Sequence, residues 1–174
     1  MEADSYLMWP NLLEWLSHFN ASQPYYIGEQ MQIGDVIFAY GGSGFVLSNP
    51  AMREVSENRK ARLIEYDEYT SNNWAGDQIL GWALLNVGVS LLWSWPNLQG
   101  RQPQEIYYTA VSYNKKLWCH YAVSYHHMTA EQIMAMWQFE RQWAQNVMFN
   151  LPCNPFSTIK KLTPFLIAFF SATS

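Results

Sequence analysis

Apolar and polar positions divide the chain into short strands and amphipathic helices in no repeating order. Trp9, Leu12, Leu13, Leu16 and Phe19 recur at helical spacing, with Pro10 tolerated in a first turn, and predict a helix of about two to three turns. Tyr25-Tyr26-Ile27-Gly28 and Val36-Ile37-Phe38-Ala39-Tyr40 predict strands separated by a polar turn at Gly34-Asp35. Phe45-Val46-Leu47 stays extended until Ser48-Asn49-Pro50, a capping side chain ahead of a first-turn proline, opens a helix over residues 51–61. The stretch around Glu65-Tyr66-Asp67-Glu68 is acidic and polar, and residues 71–76 have loop composition. Asp77 then starts a helix with Ile79, Leu80, Ala83, Leu84 and Val87 as its stripe. Residues 89–95 alternate as a strand ended by Pro96, residues 97–105 read as a loop, and residues 106–113 hold a short strand before a turn at 114–116. Thr129-Ala130-Glu131-Gln132 has the form of a capping box, and Ile133, Met136, Trp137 and Trp143 continue a helix to about Ala144. Beyond that helix the periodicity fades and Pro152, Pro155 and Pro164 interrupt the chain, so a tail of residues 149–174 is set apart from a domain of residues 1–148. Strands interleaved with helices place the domain in the α/β class.

Candidate chemistry concentrates in residues 118–128, which hold three of the four histidines. Tyr121, Val123 and Tyr125 alternate with Ala122, Ser124 and His126, which predicts a strand whose end carries a ligand. On a strand His126 and His127 point to opposite faces, so the pair does not easily serve one site. Local pattern alone favours one hydrogen-bonded core histidine beside a solvated one. Glu2 and Asp4 stand at a strand-to-helix connection, where α/β folds place ligand-binding groups, and where acids also complement a helix dipole. Asp77 is a helix-capping acid or a general base. Gly41-Gly42-Ser43-Gly44 marks a tight, ligand-facing loop, and it has neither the dinucleotide-binding spacing nor the lysine of a P-loop.

Composition narrows the partners. The 174 residues are 49% hydrophobic and 17% aromatic, enough for a heavy core with rings left over to line a carbohydrate or ligand cleft. A net charge of -4, with ten thinly scattered basic residues, argues against nucleic acid. Cys119 and Cys153 lack the paired spacing of a zinc site, and whether they pair with each other stays open. Residues 1–4 carry no secretory signal or anchor, and the apolar run 165–170 is far short of the ~20 residues a membrane helix needs, so no membrane segment is expected in this chain. Asn20-Ala21-Ser22 fits the N-glycosylation pattern.

Four of these pieces, in this order, resemble the C-terminal part of the catalytic domain of family 31 glycosyltransferases, the group holding Fringe and the core 1 β-1,3-galactosyltransferase, and in particular its fungal members. Glu2-Ala3-Asp4-Ser5-Tyr6 resembles the acidic metal motif, and residues 38–48 resemble the glycine-rich segment. Gly76-Asp77-Gln78-Ile79-Leu80-Gly81 resembles the motif of the proposed base, and residues 121–127 resemble the strand that supplies a metal-ligating histidine. The resemblance covers roughly residues 2–146. It implies an incomplete GT-A-like fold, a mixed sheet flanked by helices. It also implies a hexosyltransferase that moves a sugar, with inversion, from a nucleotide diphosphate sugar donor to a glycan or glycoprotein acceptor, in a β-1,3 linkage and with Mn2+. By position, Asp4 and His126 are the expected metal ligands and Asp77 the catalytic base. Glu2, Gly41 and Gly42 are expected at the donor, with the acceptor residues unassigned. The Golgi or secretory lumen is the implied location. Relatives carry a nucleotide-binding half and a membrane anchor ahead of the acidic motif, and many have three consecutive acids where this chain has Glu2-Ala3-Asp4, so a truncated catalytic domain, inactive alone, is expected. The alternative is a non-catalytic glycan-binding module or a structural fragment.

Overall fold

The computed structural model describes residues 2–107, 109–120 and 122–146. The tail 149–174, Cys153 with its pairing to Cys119, and Tyr121 lie outside the described residues, as do the side chains of Trp118 and Trp143. The chain opens on β1 (Tyr6–Leu7) and α1 (Trp9–Leu16), followed by β2 (Tyr26–Gly28) and a hairpin of β3 (Gln30–Ile33) and β4 (Val36–Ala39). After β5 (Phe45–Leu47) come three helices, α2 (Asn49–Ala61), α3 (Leu63–Asn72) and α4 (Gly76–Leu85). Next are β6 (Leu91–Trp93), a small hairpin of β7 (Val111–Ser112) and β8 (Lys115–Lys116), β9 (Ser124–Tyr125) and α5 (Ala130–Asn146).

The described residues form a mixed α/β arrangement. β2 lies between β5, which it pairs antiparallel, and β6, which it pairs parallel. One mixed sheet was the expectation; four small sheets are found among the described residues, and only this three-stranded one is mixed. All of β2 is buried, and the Tyr26 hydroxyl reaches across to accept the Ala39 amide at 2.7 Å, which ties the β3–β4 hairpin to the sheet. Loss of water pushes the Tyr26 pKa up to about 12, so the hydroxyl stays neutral. Tyr26, Ala39, Ala51, Leu84 and Val89 make one core beneath α2 and α4. α4 comes unusually close to β4, because a Cβ on Gly81 would stand 2.4 Å from the Phe38 Cβ. That closeness fixes the start of α4, and with it Asp77, against the end of β4.

A second core joins β1, β9 and α5 through Tyr6, Tyr125, Met128 and Met136. The capping box at α5 forms as expected, with the Gln132 amide donating to the Thr129 hydroxyl and the Thr129 amide to the Gln132 side chain. Helix α2 carries its Ser48 cap, the Ser48 side chain accepting from the Ala51 amide.

Several elements differ from the sequence expectation. Glu2 and Asp4, expected at a strand-to-helix connection, instead lead into β1, and β8 stands where a turn is expected at 114–116. Helix α3 stands where an acidic loop is expected, because only Tyr66 of its ten residues is buried and the apolar stripe is therefore faint; Tyr66 and Tyr69 pack on Trp82 of α4 instead. β3 forms over residues to which no element is assigned from the sequence, with Met31 and Ile33 alternating against two glutamines, and the turn expected at Gly34-Asp35 joins it to β4. The strand expected over residues 118–126 shrinks to β9, preceded by a 3-10 turn at Leu117–Cys119. Val123, Ser124, Tyr125 and His126 are all buried, so this segment is enclosed on both faces rather than two-sided.

Candidate metal and carboxylate site

The acidic and histidine segments meet because β1 pairs with β9. Tyr6 stands opposite Tyr125 and Leu7 opposite Ser124, and the Met8 amide donates to the Val123 carbonyl at 2.8 Å. Continuing that register would set Asp4 opposite His127. Instead the Asp4 carbonyl accepts from the Met128 amide at 2.9 Å, so the histidine strand carries one extra residue, a β-bulge. His127 absorbs it in the left-handed region at φ 59°, a conformation that costs a non-glycine residue of the order of 1 kcal/mol or more.

The bulge corrects the expectation that His126 and His127 point to opposite faces. Their rings lie 3.8 Å apart at an interplanar angle of 31°, both turned toward Asp4. His126 Nε2 is 3.2 Å from Asp4 Oδ1 and 3.3 Å from Glu2 Oε2, and His127 Nδ1 is 3.6 Å from Asp4 Oδ2. His126 is buried while Asp4, Glu2 and His127 reach solvent, so the cluster is anchored on one side and open on the other. Asp4, His126 and His127 can each offer one ligand atom with all three atoms within 4.8 Å of one another. Two donors about 2.1 Å from one ion and at right angles stand about 3 Å apart, so these separations fit shared oxygen and nitrogen coordination. His126 Nδ1 is buried with no hydrogen-bond partner, so Nε2 is the nitrogen presented to the acids.

The glycine loop presses on this cluster and on Asp77 at once. A Cβ on Gly42 would lie 2.2 Å from His126 Cε1 and 2.5 Å from Nδ1, so only glycine lets the imidazole lie flat against the loop. The Gly42 carbonyl accepts from the Ser5 hydroxyl at 2.8 Å, which binds the loop to the acidic segment. One residue earlier, the Gly41 amide donates to Asp77 Oδ2 at 3.1 Å while Asp77 Oδ1 accepts from the Gln78 amide at 2.9 Å. Asp77 is thus oriented by two backbone amides, as the second residue of α4.

A cleft of about 490 Å³ lies at Asp77, with Glu2 in its wall and Met31, Ile33, Phe38, Tyr40, Phe45, Trp74 and Leu80 supplying most of the rest; Asp4, His126 and His127 are outside its lining. Compared with known protein families, the chain matches no family model, and comparison with curated proteins returns no match. The site therefore stands on its own geometry. That geometry sets Glu2, Asp4 and His126 in one cluster, with Gly42 against His126 and the neighbouring Gly41 bonded to Asp77.

Sequence reasoning missed Tyr40, Glu29 and His127. Tyr40 packs edge-on against His126, with ring centroids 5.3 Å apart, and its pKa is raised by burial and then by the carboxylates of Glu2, Glu29, Asp4 and Asp77. Its hydroxyl stays protonated in a strongly acidic field, of the sign that draws a cation. Its place after a strand and directly before Gly41-Gly42-Ser43-Gly44 was the one local signal. Glu29 is mostly enclosed behind the loop, with Oε2 lacking a partner. Burial raises its pKa above the ordinary 4.5, opposed by the Gly100 amide, the Ser43 hydroxyl and Arg101. The folded chain therefore holds the Glu29 proton at pH values where the unfolded chain has released it, and stability falls as pH rises from 4.5 through the folded value. Glu29→Gln is expected to flatten this decline, measured as urea unfolding free energy at pH 5 and pH 8; an unchanged slope would assign the decline to other groups.

Proposed function

We propose that the chain carries the catalytic site of a metal-dependent inverting glycosyltransferase, of GT-A-like architecture, using a nucleotide diphosphate sugar donor and a glycan or glycoprotein acceptor. The observation that carries this reading is that one glycine loop holds a carboxylate and imidazole cluster and a separate carboxylate together, Gly42 against His126 and the Gly41 amide on Asp77, with Glu2 beside His126 and in the wall of the Asp77 cleft. Asp4 and His126, with His127 beside them, would hold a divalent cation, Mn2+ by resemblance. Bound there, the ion supplies positive charge against a departing diphosphate. Asp77, fixed by the Gly41 and Gln78 amides, accepts the proton of the acceptor hydroxyl. That hydroxyl oxygen forms the new bond to the anomeric carbon from the face opposite the diphosphate, whose oxygen leaves with the electron pair of the broken bond. Inversion results from the single displacement.

Calorimetric titration of the chain with uridine diphosphate, with and without Mn2+, tests the reading. Diphosphate binding that requires Mn2+ is expected; binding indifferent to the ion, or none in its presence, would count against it. The second reading, a glycan-binding module without chemistry, is favoured by the largely apolar and aromatic cleft lining, and sugar binding with no ion dependence and no transfer would select it.

A location in the secretory lumen belongs to the same proposal. Asn20 is exposed in a turn, its side chain accepting from the Ser22 amide at 3.0 Å. Expression through a secretory host is expected to yield a glycosidase-sensitive mass shift that Asn20→Gln removes; an unshifted wild-type chain would speak against that route. Among the described residues no helix is long and apolar enough to cross a membrane.

A further inference from the structure

Trp74, the tryptophan in the cleft lining, has 88% of its surface open, yet it stands on a short loop that the fold holds firmly. The Asn73 side chain donates to the Tyr69 carbonyl at 2.8 Å, and Tyr69 is stacked on Trp82 of α4 with ring centroids 3.9 Å apart. Three residues after Trp74 comes Asp77. An indole left in water at the mouth of a cleft gives up the free energy of burial unless something covers it. Met31 and Ile33 border the same cleft from the β3–β4 hairpin, Met31 itself 45% exposed.

We propose, resting on the reading above, that Trp74 and the face of β3 carrying Met31 and Ile33 form the acceptor subsite, and that it takes an uncharged pyranoside with a continuous C–H face. The covering group must satisfy two demands at once. It needs an apolar face for the indole and the Met31 side chain, and hydroxyls for the carboxylates of Asp77 and Glu2, which only accept hydrogen bonds. A pyranose ring meets both, since its C–H bonds cluster on one face while its hydroxyls project around the rim. A β-galactoside, whose axial 4-hydroxyl clears one face, presents the most continuous apolar patch. Charge sets the rest of the specificity. With the Glu2 and Asp77 carboxylates in the walls, a uronate brings a third carboxylate into the cleft and is rejected. The sugar hydroxyl nearest Asp77 is then the one deprotonated.

Saturation-transfer NMR on the full chain, without metal or donor, tests the subsite apart from the chemistry. The probes are methyl β-D-galactopyranoside, the corresponding galactosiduronate, and cyclohexanol as an apolar control. The neutral galactoside is expected to bind at least tenfold more tightly than the uronate or cyclohexanol, with its C–H face receiving the strongest transfer. Trp74→Ala should weaken it at least fivefold and Trp74→Phe should restore most of the loss. Because Trp74 is exposed, both variants should keep the wild-type circular dichroism. Asp77→Asn should narrow the gap between galactoside and uronate. Failure of the wild type to bind, equal binding of the uronate or cyclohexanol, or indifference to Trp74→Ala would each overturn the subsite. A bound galactoside with no Mn2+-dependent binding of uridine diphosphate beside it would instead retain the subsite and remove the transferase reading.

Discussion

Gly42→Ala is expected to cost the protein its cation site and a measurable part of its stability, whereas Gly41→Ala is expected to cost neither. The Gly42 Cβ would fall 2.2 Å from His126 Cε1, and His126, 1% exposed, has nowhere to retreat. Relief requires moving the loop off the imidazole or turning the ring away from Asp4. Overpacking of this kind costs about 1–3 kcal/mol, or about 2–4 °C in melting temperature for each kcal/mol in a chain of this size. Displacing the ring also removes a ligand from its aim, for which a 10- to 100-fold loss of metal affinity is the usual scale. A Cβ on Gly41 meets Asp77 Oδ2 at 3.5 Å, an ordinary contact. Thermal melts and Mn2+ titrations of the two variants check the contrast; similar behaviour of both would show that the loop does not set the imidazole.

The second large effect is expected at Asp77. Asp77→Asn keeps the shape of the side chain but removes the proton acceptor, and nucleoside diphosphate release, measured on a form of the protein that turns over, should fall about 10²- to 10⁴-fold. One of the two amide contacts, from Gly41 or from Gln78, is lost as well, because the new NH2 group faces a donor. That loss should cost about 1 kcal/mol of stability. Mn2+ affinity should hold, since Asp77 is not among the clustered ligand atoms. Turnover within a factor of two of wild type would take Asp77 out of the base role, and a parallel loss of Mn2+ affinity would mean that the glycine loop had moved as a whole.

The elements legible in the sequence are those whose signals are local. The Thr129 capping box, the Ser48 cap with Pro50, and the β2 and β5 runs are each specified within a few residues, and each forms. Helix α3 was not legible because its burial depends on Tyr66 and Tyr69 finding Trp82, a partner outside its own pattern. The site divides in the same way. Residue types suited to a ligand cluster could be named at Glu2, Asp4, Asp77 and His126, but their convergence rests on β1 pairing with β9 across more than a hundred residues. Strand alternation misplaced His127 for a definite reason. A one-residue bulge, visible only once the Asp4 carbonyl and Met128 amide are seen to pair, turns both imidazoles to the same side. Beyond Tyr40's place ahead of the glycine loop, nothing local marks Tyr40 or Glu29, because what distinguishes them is their burial behind that loop, a property of the assembled fold.

The cation site is the claim on which the rest depends, and electron paramagnetic resonance of Mn2+ titrated into the chain addresses it most directly. Free Mn2+ gives a sharp six-line signal that is lost on coordination. The wild-type chain is expected to remove about one equivalent of it, and Asp4→Asn, at a carboxylate 44% exposed and so dispensable for folding, to abolish that loss, with His126→Ala behaving alike. A signal undiminished by the wild-type chain, or diminished equally by the Asp4→Asn chain, would contradict the account.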